Sequence, residues 1–378
     1  MRCAIVGDGL AGLTAYATLR HGGIEAEEIA VLGEDPDPAA AWRVRAAAIR
    51  QRRMRSESDG HVAPTAFPGL AVREAARRRR LSPLLRTVAD RYNPTVDLFL
   101  EHVAEVRERT GWDTSHRSAR VERIRPVGEG FELDGHGVFR HLLLAPGHPG
   151  LARPEVLAGD RRVIHAYEPH GHEGRVGVVG AGMAAATEWL NALAAGASVV
   201  SVRRREPERR PLNLPRPLFT RRGLAAYHAT PAPARAGLLR SWLSPSYPPG
   251  RRWDEPVDAG RRAGRFSVAS IGTNGASAEA LLEALDGVDQ VVCATGFLRG
   301  YRHDPLLARL VTEAGLETYE DWIVLSPDAS VPAVTDETRT LALAGVPAQW
   351  AFPAADTLAG AKYAARRFLE RVRRCPTR

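Results

Sequence analysis

Two glycine-rich runs have the spacing that cradles a dinucleotide pyrophosphate: GDGLAG, with Gly7, Gly9 and Gly12, and GAGMAA, with Gly180 and Gly182. A pyrophosphate carries two negative charges and is held best at a helix N-terminus, where free backbone N–H groups and the positive end of the helix dipole converge. In such a loop the first glycine permits the tight turn, the second lets the backbone approach the phosphates, and the third lets helix and strand pack closely. The second run has Ala185 in that third place. The residue ending the next strand reads the ribose, an acid accepting from free hydroxyls and an arginine gripping a 2′-phosphate. After the first run VLGEDP offers Glu34, with Asp35 as its substitute. After the second, SVRRREP offers Arg203, Arg204 and Arg205, which favours NADPH over NADH; a solvated charge cluster is the alternative.

The elements that must position these groups are legible as strand, turn and helix. An apolar run, Cys3 to Val6, meets the first glycines, a helical stretch follows to Arg20, and a second strand runs from Ile29 to Leu32. The grammar recurs in a strand ending at Val179, a helix, and a strand from Ser198 to Val202. Two such units so far apart suit one domain inserted within another, not two halves of one fold. Between them, Thr95 to Arg109 has helical spacing, and Ser118 to Arg140 reads as a small meander of short strands broken by Gly128, Gly130 and Gly135. The segment 207–256 holds PLNLPRP, PAPAR and SPSYPPG, and its proline density predicts a long ordered loop, acting as a lid or as a surface connection. A strand near Phe266 to Ile271, a helix from Ala276 to Leu285 and the strand Asp289 to Cys293, running into ATGF, follow.

The chain has 378 residues, 44% hydrophobic and 25% charged, enough for about two domains of ordinary size. No apolar run approaches the roughly 20 residues of a membrane span, and no basic and apolar leader opens the sequence, so the cytoplasm is the expected compartment. Net charge is +8, yet the basic residues are dispersed apart from Arg77 to Arg80 and Arg203 to Arg205, and no nucleic-acid partner is expected. Cys3, Cys293 and Cys375 are widely spaced, suggesting neither a disulfide framework nor a paired redox centre. His170 and His172 in EPHGHEG have no carboxylate at suitable sequence spacing, so no metal is assigned. Trp42, Trp189 and Trp350 could stack on cofactor rings or pack in the core.

The order G-x-G-x-x-G, LLLAPGHPG, G-x-G-x-x-A with basic residues, then CATGF resembles the class B flavin-dependent monooxygenases, that is, the flavin-containing monooxygenases with their N-hydroxylating and Baeyer–Villiger relatives. The resemblance covers nearly the whole chain. It implies an α/β fold with two Rossmann-like dinucleotide-binding domains: an FAD domain from both chain ends, 1–153 and 292–378, and an inserted NADPH domain, 154–291. Ala145 to Gly147 and Ala294 to Gly296, the latter including Thr295, would be the crossovers between them. MRSESDGH, Met54 to His61, would run past the flavin, making Arg55 and His61 candidates near flavin or nicotinamide; a structural arginine and a surface histidine are the alternatives. Trp42 would lie near the cofactor. The last helix would start near Asp356 and point at the flavin pyrimidine, unless Asp356 is simply its N-cap. One departure is plain: near VLAGDRRVIHAY, Gly159 and His165 are further apart than in the Baeyer–Villiger fingerprint and its leading Phe is missing.

The implied activity is insertion of one oxygen atom of O2 into a small organic substrate, by amine N-hydroxylation or a related heteroatom or carbonyl oxygenation, through a flavin C4a-(hydro)peroxide. A specialised biosynthetic role is compatible with it. The alternatives are an NADPH-dependent flavoprotein reductase or dehydrogenase that inserts no oxygen, and a non-catalytic nucleotide-binding module. Neither substrate identity nor oligomeric state is encoded in a recognisable motif.

Overall fold

The computed structural model describes residues 2–54, 69–88, 92–210, 214–272 and 278–375. In chain order, the first unit runs β1 (Cys3–Val6), α1 (Leu10–His21), β2 (Ile29–Gly33) and α2 (Ala40–Ala48). Helices α3 (Gly69–Arg78), α4 (Ser82–Val88), α5 (Val96–Thr110) and α6 (Trp112–Ser115) lead to β3 (His116–Ser118). The meander β4 (Ile124–Val127), β5 (Gly130–Leu133) and β6 (Gly137–Phe139) is antiparallel, and β7 (His141–Leu144) follows it. The second unit holds β8 (Val163–His165), β9 (Arg175–Val179), α7 (Met183–Ala194) and β10 (Ser198–Arg203). Then come β11 (Glu208–Arg209), α8 (Arg221–His228), α9 (Ala232–Trp242), β12 (Ser246–Tyr247), α10 (Arg251–Arg262), β13 (Phe266–Ser270), α11 (Ala278–Ala284) and β14 (Gln290–Cys293). The chain ends with α12 (Pro305–Ala314), β15 (Thr318–Tyr319), β16 (Trp322–Ile323), β17 (Thr340–Leu343) and α13 (Leu358–Arg374).

Two parallel five-stranded sheets result, in the orders β17-β7-β1-β2-β3 and β13-β10-β9-β14-β8. Parallel sheets are stable when both faces are covered, so their strands read as continuous apolar runs. The first sheet obeys this residue by residue. Ile5, Val31, Leu143 and Ala342 face the cluster formed with α1, α5 and α13, while Val6, Leu32, Leu144 and Leu343 face the meander and α12. In the second sheet Val176, Val178 and Val199 face α7, and Val200, Val202 and Val291 face α11.

The expected boundary at 291/292 cuts through a strand. Val291, Val292 and Cys293 are in register with Val163, Ile164 and His165 and also pair with β9, so the chain leaves the second sheet only after Cys293. The proline-rich segment is also not the loop that its composition suggests, because it folds into α8, α9 and the first half of α10. Pro231 and Pro233 flank the start of α9, where the N–H groups have no intrahelical acceptor in any case, while Pro256 lies inside α10. Leu224, Tyr227, Ala236 and Leu239 join the core of the first unit beside Trp350 and Phe352. The Tyr227 hydroxyl donates to the Trp350 carbonyl at 3.1 Å and the His228 ring donates to that of Ala351 at 2.6 Å. The segment therefore bridges the second unit to the first.

Burial holds His102, His141 and His165 neutral, with pKa values pushed down to about 4 from the ordinary 6.5. The unfolded chain then binds more protons than the folded one below 6.5, so stability is full above that pH and is lost as pH falls toward about 4. The denaturant midpoint is expected to drop between about pH 7.5 and pH 5. His141→Leu removes a fully buried imidazole whose two nitrogens have no hydrogen-bond partner among the described residues, and should shrink that drop. An unchanged pH dependence in this variant would refute the assignment.

Candidate functional site: two dinucleotide loops and a cleft

Both glycine loops have the same internal logic. Gly7 takes φ +115°, and a Cβ there would lie 2.1 Å from the carbonyl oxygen of Ala145, at the end of β7. Gly180 takes φ +134°, and its Cβ would lie 2.5 Å from the carbonyl oxygen of Ala294, just after β14. Each first glycine is thus required twice, by its backbone conformation and by the crossover pressed against it. A Cβ on Gly12 would meet the Gly7 carbonyl at 2.1 Å, the close packing expected of the third position, and Ala185 fills the equivalent place fully buried.

The middle glycines behave differently. Nothing lies within 4 Å of a Cβ built on Gly9, and only Pro245, at 4.0 Å, approaches one on Gly182. Gly9 and Gly182 are the N-caps of α1 and α7 and neither helix receives a side-chain cap, whereas Thr95, Thr220, Asp304 and Thr357 cap α5, α8, α12 and α13. The helix ends beside the two bare glycines therefore keep their orphan N–H groups for an external anion. This open backbone cradle fits a dinucleotide pyrophosphate in each unit.

The strand ends beyond the loops carry opposite charge. Glu34 follows β2 directly and is exposed, its carboxylate 4.0 Å from Arg120. Asp35 is engaged locally, its carboxylate accepting from the Asp37 amide at 2.9 Å. Sequence reasoning missed Asp8, the acid inside the first loop, whose carboxylate accepts from the Asp35 amide at 2.6 Å and ties the loop to the end of β2. Its only signal was an acid between two phosphate-loop glycines. At the end of β10 the three arginines divide: Arg203 is buried and ion-paired with Glu206, whereas Arg204 and Arg205 are exposed.

The two crossovers run side by side. Leu298 N–H donates to the Gly150 carbonyl at 2.9 Å, Ala152 N–H to the Gly296 carbonyl at 3.0 Å, and the exposed Thr295 hydroxyl to the Ala152 carbonyl. Phe297 stacks on His148 (ring centroids 3.8 Å apart) and on Tyr167 (4.8 Å), with the Arg45 guanidinium 4.8 Å from its centre. Burial, then Arg45 and Arg299, push the His148 imidazole down to about 3, so this stack carries its ring neutral. A cleft beside the crossovers is lined by Gly147, Tyr301, Asp304, Asp321, Trp322 and Gln349.

At the start of α13 the cap is Thr357, whose hydroxyl accepts from the Gly360 amide at 3.2 Å, so Asp356 is not the N-cap. Asp356 is exposed, yet desolvation by the surrounding protein pushes its carboxyl up against the opposing pull of Arg299. Trp42 is half-buried with its ring edge against Phe99, and Trp189 and Trp350 are buried in the cores of the two units. Arg55 and His61 lie outside the described residues. Burial also pushes the Cys3 and Cys293 thiols up, to about 12 and about 11. Among the described residues no helix is long and apolar enough to cross a membrane.

No family model and no curated protein matches the chain. Solved structures do, along almost the whole length. An ornithine hydroxylase from Pseudomonas aeruginosa is 16% identical with a TM-score of 0.69, and 98% of this chain covers 99% of it. An ornithine N-hydroxylase from Kutzneria, solved with reduced FAD, NADP+ and L-ornithine, is 16% identical with a TM-score of 0.69, over 98% of both chains. The FAD-bound cadaverine monooxygenase of desferrioxamine biosynthesis from Erwinia amylovora is 13% identical with a TM-score of 0.70, over 98% of this chain and 94% of that one. A bacillithiol disulfide reductase from Bacillus cereus is 17% identical with a TM-score of 0.58, over 98% and 99%. At these identities the likeness is one of fold: the chain has the two-unit α/β architecture of the class B flavin-dependent N-hydroxylating monooxygenases.

The two kinds of glycine separate experimentally. Gly9→Val is expected to leave the circular dichroism and Tm near those of the parent while weakening FAD binding about tenfold or more, because its side chain fills only the open cradle. Gly7→Ala strikes the Ala145 carbonyl and should lower stability itself. Equal loss of stability in both variants would contradict this division of roles.

Proposed function

We propose that this protein is an FAD- and NADPH-dependent monooxygenase that inserts one oxygen atom of O2 into a small amine substrate. The observation that carries the reading is the repeated cradle: two uncapped helix ends, each beside a glycine open to solvent, in a chain that aligns end to end with N-hydroxylating flavoenzymes. When bound, FAD reduced by NADPH supplies the activation of O2. The chain's own residues bind and orient.

Gly9 and the N-terminus of α1 hold the FAD pyrophosphate, with Gly7 and Gly12 setting the loop, and Glu34 accepts from the adenosine ribose because it is exposed at the strand end while Asp35 is engaged elsewhere. Gly180, Gly182 and α7 do the same for NADPH, and Arg204 and Arg205 take its 2′-phosphate; Arg203, committed to Glu206, anchors the strand end. Thr295 and Gly296 fix one crossover against the other, and Asp356 with the start of α13 faces the flavin pyrimidine edge. Tyr301 and Trp322 give the cleft an aromatic character that suits an ammonium group, beside Asp304, which caps α12, and Asp321, which is ion-paired with Arg302. A second reading, an NADPH-dependent reductase without oxygen insertion, draws on the likeness to the bacillithiol disulfide reductase.

One experiment separates the readings. Protein supplied with FAD is mixed with NADPH without oxygen, then with 18O2 and a panel of mono- and diamines. Flavin bleaching followed by 18O in a hydroxylated amine is the expected result. Bleaching with hydrogen peroxide as sole product across that panel would count against amine oxygenation and favour the reductase reading, and failure to bind flavin would end both. In the same assay Arg204→Ala with Arg205→Ala should raise KM for NADPH about tenfold or more, roughly the loss of one or two charge-assisted hydrogen bonds, and leave KM for NADH unchanged. An equal rise for both nucleotides would count against 2′-phosphate recognition.

A further inference from the structure

His170 and His172 lack a carboxylate at suitable sequence spacing, but the fold supplies one. Glu188, in the second turn of α7, brings Oε2 to 2.9 Å from Nε2 of His170 and 2.7 Å from Nε2 of His172. The three side chains are 1%, 0% and 0% exposed for His170, His172 and Glu188. One potential ligand atom from each lies within 4.8 Å of the others.

The hydrogen positions sharpen the geometry. Nδ1 of His170 lies 2.6 Å from the Glu168 carbonyl oxygen, which can only accept, so Nδ1 carries a hydrogen. Nε2, on the other side of the ring, faces a carboxylate oxygen at 2.9 Å, and such a contact is attractive only with a cation between the two atoms, either a proton or a metal ion. An imidazole that donates its outer N–H to a backbone carbonyl is also how a metal-ligating histidine is held in orientation. Nδ1 of His172 is buried without a partner among the described residues, so the ring is held only through Nε2, 2.7 Å from the Glu188 carboxylate, where a metal ion would take the place of a hydrogen.

We propose that Nε2 of His170, Nε2 of His172 and the Glu188 carboxylate form a binding site for one Zn2+ ion. Two imidazoles and a carboxylate are zinc's ligand chemistry. Zinc bonds of about 2.0 Å put tetrahedral neighbours about 3.3 Å apart, so the ion would spread the present contacts by a few tenths of an ångström. The second Glu188 oxygen accepts from the Asn191 amide at 3.4 Å, which orients the carboxylate, and a water would take the fourth position as in other three-ligand zinc sites. The ion would fasten the loop entering β9 to α7, whose N-terminus is the second dinucleotide cradle. The same helix is tied to the first unit by Asn191 Nδ2, which donates to the Ile49 carbonyl at 3.2 Å. This site stands independently of the oxygenase reading.

The test uses the full chain with FAD, stripped by chelator and titrated calorimetrically with Zn2+. Expected are about one ion per chain, a rise in Tm on loading, and at least tenfold weaker binding in His172→Ala and in the near-isosteric Glu188→Gln, both checked for folding by circular dichroism. In the unaltered protein, Co2+ in place of zinc should give the intense visible bands of a four-coordinate site, which does not depend on any variant folding. No saturable Zn2+ binding would mean that a proton, not a metal, holds the cluster and would overturn the proposal. So would unweakened binding in Glu188→Gln, or only the faint spectrum of a six-coordinate surface ion.

Discussion

The tightest constraint in this molecule is the approach of a glycine to a carbonyl, made twice. Gly7 lies under Ala145 and Gly180 under Ala294 so closely that no Cβ fits. Each contact joins the first strand of a dinucleotide unit to the strand beside it in the sheet, β7 for one and β14 for the other, and the chain leaves both of those strands through a crossover to the other unit. The turn that opens a phosphate cradle is therefore the same turn against which the interdomain connections rest. Widening it would move the helix end, the crossover and the second unit together.

Around that constraint the two units are coupled in three further ways. The crossovers are hydrogen-bonded to each other, Phe297 stacks between His148 and Tyr167, and helices α8 and α9 of the inserted segment join the first unit's core. The last of these matters most for what the cleft can be. Tyr227 and His228 bind the backbone of Trp350 and Ala351, in the turn between β17 and α13, and the cleft beside the crossovers is lined from the same turn by Val346, Pro347 and Gln349. A segment numbered with the second unit thus braces a wall that the first unit provides.

What the sequence disclosed and what it hid follow from range. The glycine loops, the strands around them, the meander and helix α5 were legible because each is set by neighbours within a dozen residues: periodicity, a turn glycine, the Thr95 cap. The proline-rich segment misled because proline breaks helix interiors but favours helix starts, and composition alone does not say where each proline falls. The Asp356 cap was misplaced by one residue, since Asp and Thr are both good caps and only the hydrogen bond from Gly360 decides. Glu188 was invisible as a partner of His170 and His172 because a helix turn, not sequence spacing, brings it to them. Arg203 looked equivalent to its two neighbours, and only burial against Glu206 sets it apart.

Two cradles of nearly identical backbone pose a sorting problem, because a pyrophosphate satisfies either. The resolution lies one strand away. On the proposed reading, the exposed carboxylate at the end of β2 accepts from ribose hydroxyls and repels a 2′-phosphate, while the exposed guanidinium groups at the end of β10 attract one. Glu34, Arg204 and Arg205 follow strands whose partners are the glycine-bearing strands, so their distance from the glycine loops is set by the sheet spacing. Other arginines are differently committed: Arg73 and Arg77 pair with Glu105 and Glu101 across helices α3 and α5, and Arg78 with Glu74 within α3. On the proposed reading, the charge at two strand ends decides which dinucleotide enters which unit, and hence the direction in which electrons cross between them.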